Sequence, residues 1–86
     1  VKIIINSQIH HDSTIGKFST IAPACVILGN VKIGSYSYIG ANSTIKQNIK
    51  IGNNCIIGAG SVVTRDVENN NVVVGVPAKF LKKNKN

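Results

Sequence analysis

His10 and His11 are the only histidines in the chain, and Asp12 follows them directly. An imidazole titrates near neutrality and is the side chain most often used to take a proton from a reacting group. A carboxylate beside it can bond one ring nitrogen, fix the tautomer and raise the basicity of the other. Metal binding fits the residues less well. Adjacent histidines diverge, and no third histidine or cysteine stands eighteen residues away to complete a tetrahedral set. The plain competing reading is that both histidines are ordinary surface residues at a bend.

What would position them is a period of six. Isoleucine occupies positions 3, 9, 15, 21, 27, 33, 39, 45, 51 and 57, and Val63 continues the series. An α-helix returns apolar residues at three or four and a strand at two, so recurrence at six fits a coil of short strands joined by corners. Two places before each isoleucine stands a small or β-branched residue: Ser7, Ser13, Ser19, Cys25, Val31, Ser37, Ser43, Ile49, Cys55 and Ser61. A narrow prism demands that, since three large side chains per layer would not fit. Glycine often follows the isoleucine, at Gly16, Gly34, Gly40, Gly52 and Gly58, and is expected to permit the bend. The spacing predicts an all-β parallel β-helix of hexapeptide repeats over residues 1–66. Its triangular coils take roughly eighteen residues each, and somewhat under four of them fit. Residues 67–86 follow as a short C-terminal extension.

Eighteen-residue steps then define what stacks on what. His11 is followed in its column by Gly29, Gln47 and Arg65. Gly29 thus falls about one strand spacing, roughly 4.8 Å, from His11. Its amide, unshielded by a side chain, is a candidate oxyanion donor beside a general base. A corner alone would also justify the glycine. A neighbouring column of Ile5, Pro23, Ala41 and Ala59 ends in a smooth strip along which a long thin ligand can lie.

Composition bounds the rest. The 86 residues make one domain, and no apolar run has the length of a membrane span or signal peptide, so no membrane partner and a cytoplasmic location are expected. The chain has no methionine and is read as a piece of a longer protein from which an N-terminal domain is missing. Cys25 and Cys55 fall on different faces at inward positions, where they serve as small reduced hydrophobes. The net charge of +7 includes Lys79, Lys82, Lys83 and Lys85. Nucleic acid is not the expected partner, because only four aromatic residues and no binding motif accompany that charge. A phosphate-rich small molecule suits it equally, and the tail from Lys83 onward is expected to be frayed.

The stretches His11-Asp12-Ser13-Thr14-Ile15-Gly16-Lys17-Phe18, Ile21-Ala22-Pro23, Gly29-Asn30-Val31-Lys32-Ile33-Gly34, Ile57-Gly58-Ala59-Gly60-Ser61-Val62-Val63 and Val74-Gly75-Val76-Pro77-Ala78-Lys79 carry a resemblance that spans the chain. It resembles the C-terminal domain of the sialic acid O-acetyltransferase and bacterial amino-sugar N-acetyltransferase family. The resemblance implies a left-handed coil and a homotrimer with acetyl-CoA held between subunits. It implies that His11 is the general base, that Asp12 orients it and that the Gly29 amide faces the thioester oxygen. It places Thr20, Ala41 and Ala59 along the pantetheine arm and Pro77 and Lys79 toward the nucleotide. No metal is implied.

Two departures from the family pattern stand out. Thr20 occupies a place where some relatives have a second histidine. Ile4 stands seven residues before the base, where relatives often have asparagine, and Asn6 is displaced by two. The implied activity is direct acetyl transfer to an amino group or hydroxyl of a sugar, with a nucleotide-activated sugar or sialic acid as acceptor. Serine and maltose acetyltransferases use the same kind of prism but set their histidine in different local sequence. A γ-carbonic anhydrase is disfavoured by the missing ligands. An ice-binding prism would need an outward threonine array that Thr14, Thr20, Thr44 and Thr64 do not form. A non-catalytic trimeric scaffold is the alternative from another class.

Overall fold

A computed structural model of the chain describes residues 2–3 and 7–85. Ile4, Ile5 and Asn6, named above, lie outside the described residues. Eleven two-residue strands follow at six-residue intervals: β1 (Lys2–Ile3), β2 (Gln8–Ile9), β3 (Thr14–Ile15), β4 (Thr20–Ile21), β5 (Val26–Ile27), β6 (Lys32–Ile33), β7 (Tyr38–Ile39), β8 (Thr44–Ile45), β9 (Lys50–Ile51), β10 (Ile56–Ile57) and β11 (Val62–Val63). Two longer strands, β12 (Asn71–Gly75) and β13 (Ala78–Lys83), form an antiparallel hairpin at the C-terminal end.

The strands form three parallel faces, each visited once per coil. Face A runs β1-β4-β7-β10-β12-β13, face B runs β2-β5-β8-β11 and face C runs β3-β6-β9. Registers such as Ile21↔Ile39, Ile27↔Ile45 and Ile33↔Ile51 confirm the eighteen-residue step. The chain is an all-β parallel solenoid of about four turns. The last coil is two residues shorter, because Val67 bridges to Ile51 rather than falling eighteen residues on. β12 then adds to face A by pairing with β10, and β13 forms its edge.

The core is the predicted isoleucine stack, with Ile21, Ile27, Ile39, Ile45 and Ile57 fully buried. The small inward residues do more than save space. Ser37 Oγ accepts a hydrogen bond from Cys55 N (3.0 Å) and donates one to Gly52 O (2.8 Å), and Ser13 and Ser19 bridge coils in the same way. Cys25 and Cys55 are free, buried, and donate to the carbonyls of Gly40 and Glu68. Buried hydroxyls therefore cost little here, because each is satisfied.

The corners depart from expectation. From Ile9 to Ile57 the left-handed backbone conformation falls three places after each isoleucine of the six-residue series, at Asp12, Phe18, Ala24, Asn30, Tyr36, Asn42, Asn48, Asn54 and Gly60. Asparagine tolerates that conformation well and is the commonest residue at these positions. Gly16, Gly34, Gly40, Gly52 and Gly58 do not adopt it; what requires glycine there is the next coil. A Cβ on Gly16 would lie 2.5 Å from the Gly34 carbonyl carbon. Phe18 and Tyr36 are bulky exceptions at left-handed positions, and their exposed rings stack at 5.2 Å. Two residues of the tail expected to be frayed, Lys83 and Asn84, make contacts. Lys83 ends β13, its Nζ donates to Asn71 Oδ1, and the Asn84 amide nitrogen donates to Asn54.

Candidate active site

His10, His11 and Asp12 form the turn between β2 and β3, at the corner joining face B to face C. The next coil brings Leu28, Gly29 and Asn30 to the same corner, and the third brings Lys46, Gln47 and Asn48. Backbone bonds fix the levels: Asn30 N donates to His11 O (3.2 Å) and Asn48 N to Gly29 O (3.0 Å). At the left-handed positions, Asn30 Nδ2 donates to Asn48 Oδ1 (2.9 Å), a ladder whose first level is Asp12. A depression of about 330 Å³ opens here, lined by His10, His11, Asp12, Gly29, Asn30 and Gln47 among others.

The His11–Asp12 pair is loose in the single chain. The His11 Nε2 to Asp12 Oδ2 distance is 3.9 Å, too long for a hydrogen bond, and the two side chains are 87% and 79% exposed. Both are free to adjust to a ligand.

Gly29 is the more informative residue. Its backbone does not need glycine, since it is not in the left-handed region, and its packing does not either. A Cβ there would meet only the His11 carbonyl oxygen, at 3.7 Å. What the glycine does is leave a gap in a column that otherwise carries side chains. Its N–H has no partner among the described residues. Most corners share that open amide, although Ser35 N and Asn53 N are taken by asparagine side chains. At Gly29 alone in this column is the amide both free and uncovered.

The remaining residues singled out in the sequence fall elsewhere. Ala41 and Ala59 stack at the preceding corner, between faces A and B, with Gly60 N donating to Ala41 O (2.8 Å). Thr20 lies on face A between Lys2 and Tyr38. Pro77 and Lys79, on the β12–β13 hairpin, line a depression of about 510 Å³ together with Thr64, Arg65 and Phe80. One chain thus brings His11, Asp12 and Gly29 together, and Pro77 and Lys79 together, while Thr20, Ala41 and Ala59 stand apart from His11. Thr64, Arg65 and Phe80 are the members of this last depression to which sequence reading assigns no site role. The column arithmetic held the signal for Arg65; the hairpin pairing that brings Phe80 there is not periodic.

A larger depression, about 580 Å³, opens where the last coil is shortened, beside Lys50, Asp66 and Glu68. It has no histidine, and Asp66 Oδ1 is engaged there by Lys50 N (2.8 Å). Its shape follows from the short coil rather than from a cluster of reactive groups. Among the described residues, no three of His, Cys, Asp and Glu are placed so that they could hold a metal ion, and no helix is long and apolar enough to cross a membrane.

The family model for the bacterial transferase hexapeptide (six repeats) matches residues 12–47 and 30–65, more than half the chain. The chain belongs to the bacterial hexapeptide-repeat transferases. A search of curated proteins gives no match. Among solved structures it is similar to LpxA from Acinetobacter baumannii, with 32% identity and a TM-score of 0.93 over 95% of this chain and 32% of that one. It is similar to WeeI from Acinetobacter baumannii AYE, at 40% identity and TM-score 0.85 over 87% of this chain and 38% of that one. The fold is also that of perosamine N-acetyltransferase from Caulobacter crescentus, solved in complex with CoA and GDP-perosamine. There the identity is 23% and the TM-score 0.80, covering 95% of this chain and 53% of that one. The chain therefore spans about a third to a half of these proteins. The structural neighbours include a UDP-N-acetylglucosamine acyltransferase and a sugar N-acetyltransferase.

Proposed function

We propose that this domain transfers an acetyl group from acetyl-CoA to an amino group or hydroxyl of a sugar, with His11 as general base. The observation that carries this reading is the pairing of His11 with Gly29, whose bare amide stands one strand away without any structural need for glycine. In the proposed reaction His11 takes the proton of the acceptor N–H or O–H as the acceptor attacks the thioester carbon. The oxyanion receives the Gly29 N–H, and its collapse expels the CoA thiolate, which regains a proton from His11. Asp12 swings in to hold the imidazole in the tautomer this needs. No acyl-enzyme is required, since no serine or cysteine lines the depression.

The nucleotide-linked amino sugar bound by the perosamine enzyme supports a nucleotide-activated sugar as acceptor, and its CoA supports the donor. Thr20, Ala41, Ala59, Pro77 and Lys79 are proposed donor contacts. Ala41 and Ala59 lie one face away from His11, so they reach the same donor only from a neighbouring copy. Face B separates the two corners and is the least charged. It turns outward Gln8, Val26, Thr44 and Val62, whereas face C presents Lys32 and Lys50. Three copies with face B toward a common axis bring each His11 corner against the next copy's alanine strip, which is the proposed homotrimer.

The test is thiol release from acetyl-CoA with a panel of nucleotide-activated amino sugars and sialic acid, comparing the chain with His11→Ala. Turnover that His11→Ala abolishes while keeping the fold supports the reading. Turnover that survives His11→Ala removes His11 from the chemistry, and no turnover or CoA binding by a folded oligomer favours a scaffold.

A further inference from the structure

The C-terminal hairpin leaves open an edge unlike any that the coils present. Face A runs along the solenoid axis from β1 to β13, and β13 is its last strand, paired to β12 on one side and to no strand among the described residues on the other. Each strand of the coils has two residues, whereas β13 has six, so its free side offers roughly 20 Å of backbone donors and acceptors. A long open edge is a template for pairing with another chain. This one faces along the axis, so copies packed side by side leave it uncovered.

Its side chains select the kind of chain that fits. Phe80 and Leu81 are 58% and 57% exposed, so the strand buries neither of its large apolar residues. Lys79, Lys82 and Lys83 flank them, and Lys85 follows the strand. Among the described residues none of these lysines has a carboxylate within ion-pair distance. The three acidic residues of the chain, Asp12, Asp66 and Glu68, all lie outside the hairpin.

Two occupants can be compared by charge. A second copy laid antiparallel about the middle of β13 sets Lys79 of each copy opposite Lys82 of the other, and like charges directly opposite are destabilising. A strand of opposite charge turns the same positions into attractive pairs. Edge lysines do guard against self-pairing, but that role gives no reason for holding Phe80 and Leu81 at the surface between them.

We infer that the β13 edge takes an extended acidic segment of another polypeptide as an added strand. Main-chain hydrogen bonds along the edge supply the pairing, carboxylates of the segment meet Lys79, Lys82 and Lys83, and an apolar residue covers Phe80 or Leu81. The inference is independent of the acyl transfer proposed at His11.

Fluorescence anisotropy of a labelled eight-residue peptide of alternating glutamate and valine, titrated at neutral pH with the full chain, tests this. Saturable binding is expected, and a peptide of alternating lysine and valine is expected to bind at least tenfold more weakly. The glutamate peptide with its backbone amides N-methylated is expected to lose at least tenfold, because it keeps the charge and cannot pair as a strand. Lys82→Glu is expected to weaken the glutamate peptide by about three- to tenfold, the scale of an exposed ion pair replaced by a repulsion. The same variant is expected to tighten the lysine peptide, a reversal that local unfolding would not produce. Equal binding of the methylated and unmethylated peptides, or of inorganic polyphosphate in their place, would leave a charged surface and overturn the added strand. Absence of binding overturns it as well, and a dimer that Lys82→Glu dissociates or tightens in sedimentation, with no peptide bound, gives the edge to a second copy instead.

Discussion

The Cβ that Gly29 lacks would touch nothing but the carbonyl oxygen of His11, at 3.7 Å. The fold therefore accepts alanine there, whereas the proposed oxyanion contact would be covered by it. Gly29→Ala is expected to melt at the same temperature as the unaltered chain or slightly higher, since alanine in compatible backbone adds about 0.4–1 kcal/mol through the unfolded state. Acyl transfer is expected to fall on the order of 100-fold, the scale of one lost oxyanion donor. A thermal melt and a thiol-release assay on the same sample check both halves; a stable variant with full activity would take Gly29 out of the reaction.

His11 separates chemistry from stability in the same manner. Its side chain is 87% exposed and carries no packing, so His11→Ala is expected to leave the melting temperature unchanged. Loss of the proposed general base is expected to lower kcat by about 10²–10⁴-fold. KM for the donor is expected to stay constant, because the base does not hold it. Steady-state kinetics at saturating acceptor distinguish this from a binding defect.

Gly16 should behave in the opposite way to Gly29. A Cβ at Gly16 would lie 2.5 Å from the Gly34 carbonyl carbon and 2.7 Å from its oxygen, both rigid backbone. Gly16→Ala is expected to destabilise by about 1–3 kcal/mol or more, the usual cost of overpacking. Chemical denaturation of Gly16→Ala beside Gly29→Ala reads the contrast directly, and equal midpoints would refute the assignment of coil contact to the first and an open notch to the second.

These two glycines mark what was legible in the sequence and what was not. The period of six gives the three faces, the isoleucine core and the stacking of Gly29 on His11, because parallel in-register coils turn spacing into position. It does not tell a glycine that the next coil requires from one that the fold merely permits. Both fall near corners, and only the distance to the neighbouring backbone separates them. The left-handed residues were misplaced for a related reason: asparagine rather than glycine is the commonest residue among them, at Asn30, Asn42, Asn48, Asn54 and Asn70. The end of the solenoid was the least legible part. The shortened coil at Val67 and the β12–β13 hairpin break the period, so the partnership of Arg65 with Lys79 and Phe80 has no repeat to announce it.

The inward serines supply a prediction about how the coils are held together. Ser37 Oγ accepts from the buried Cys55 N–H at 3.0 Å and donates to the Gly52 carbonyl at 2.8 Å. Ser37→Ala leaves that N–H without a partner, and a stranded buried donor costs about 1–3 kcal/mol. Ser37→Cys is expected to lose less. Cys25 and Cys55 fill equivalent positions and donate to carbonyls at 3.0 Å, so a thiol keeps the donor half of the bridge. It accepts weakly, so the Cys55 N–H is only partly served. The expected order of urea midpoints is Ser37, then Ser37→Cys, then Ser37→Ala. Should Ser37→Ala unfold at the unaltered midpoint, the serines would be space-savers only, and the isoleucine stack would hold the coils by itself.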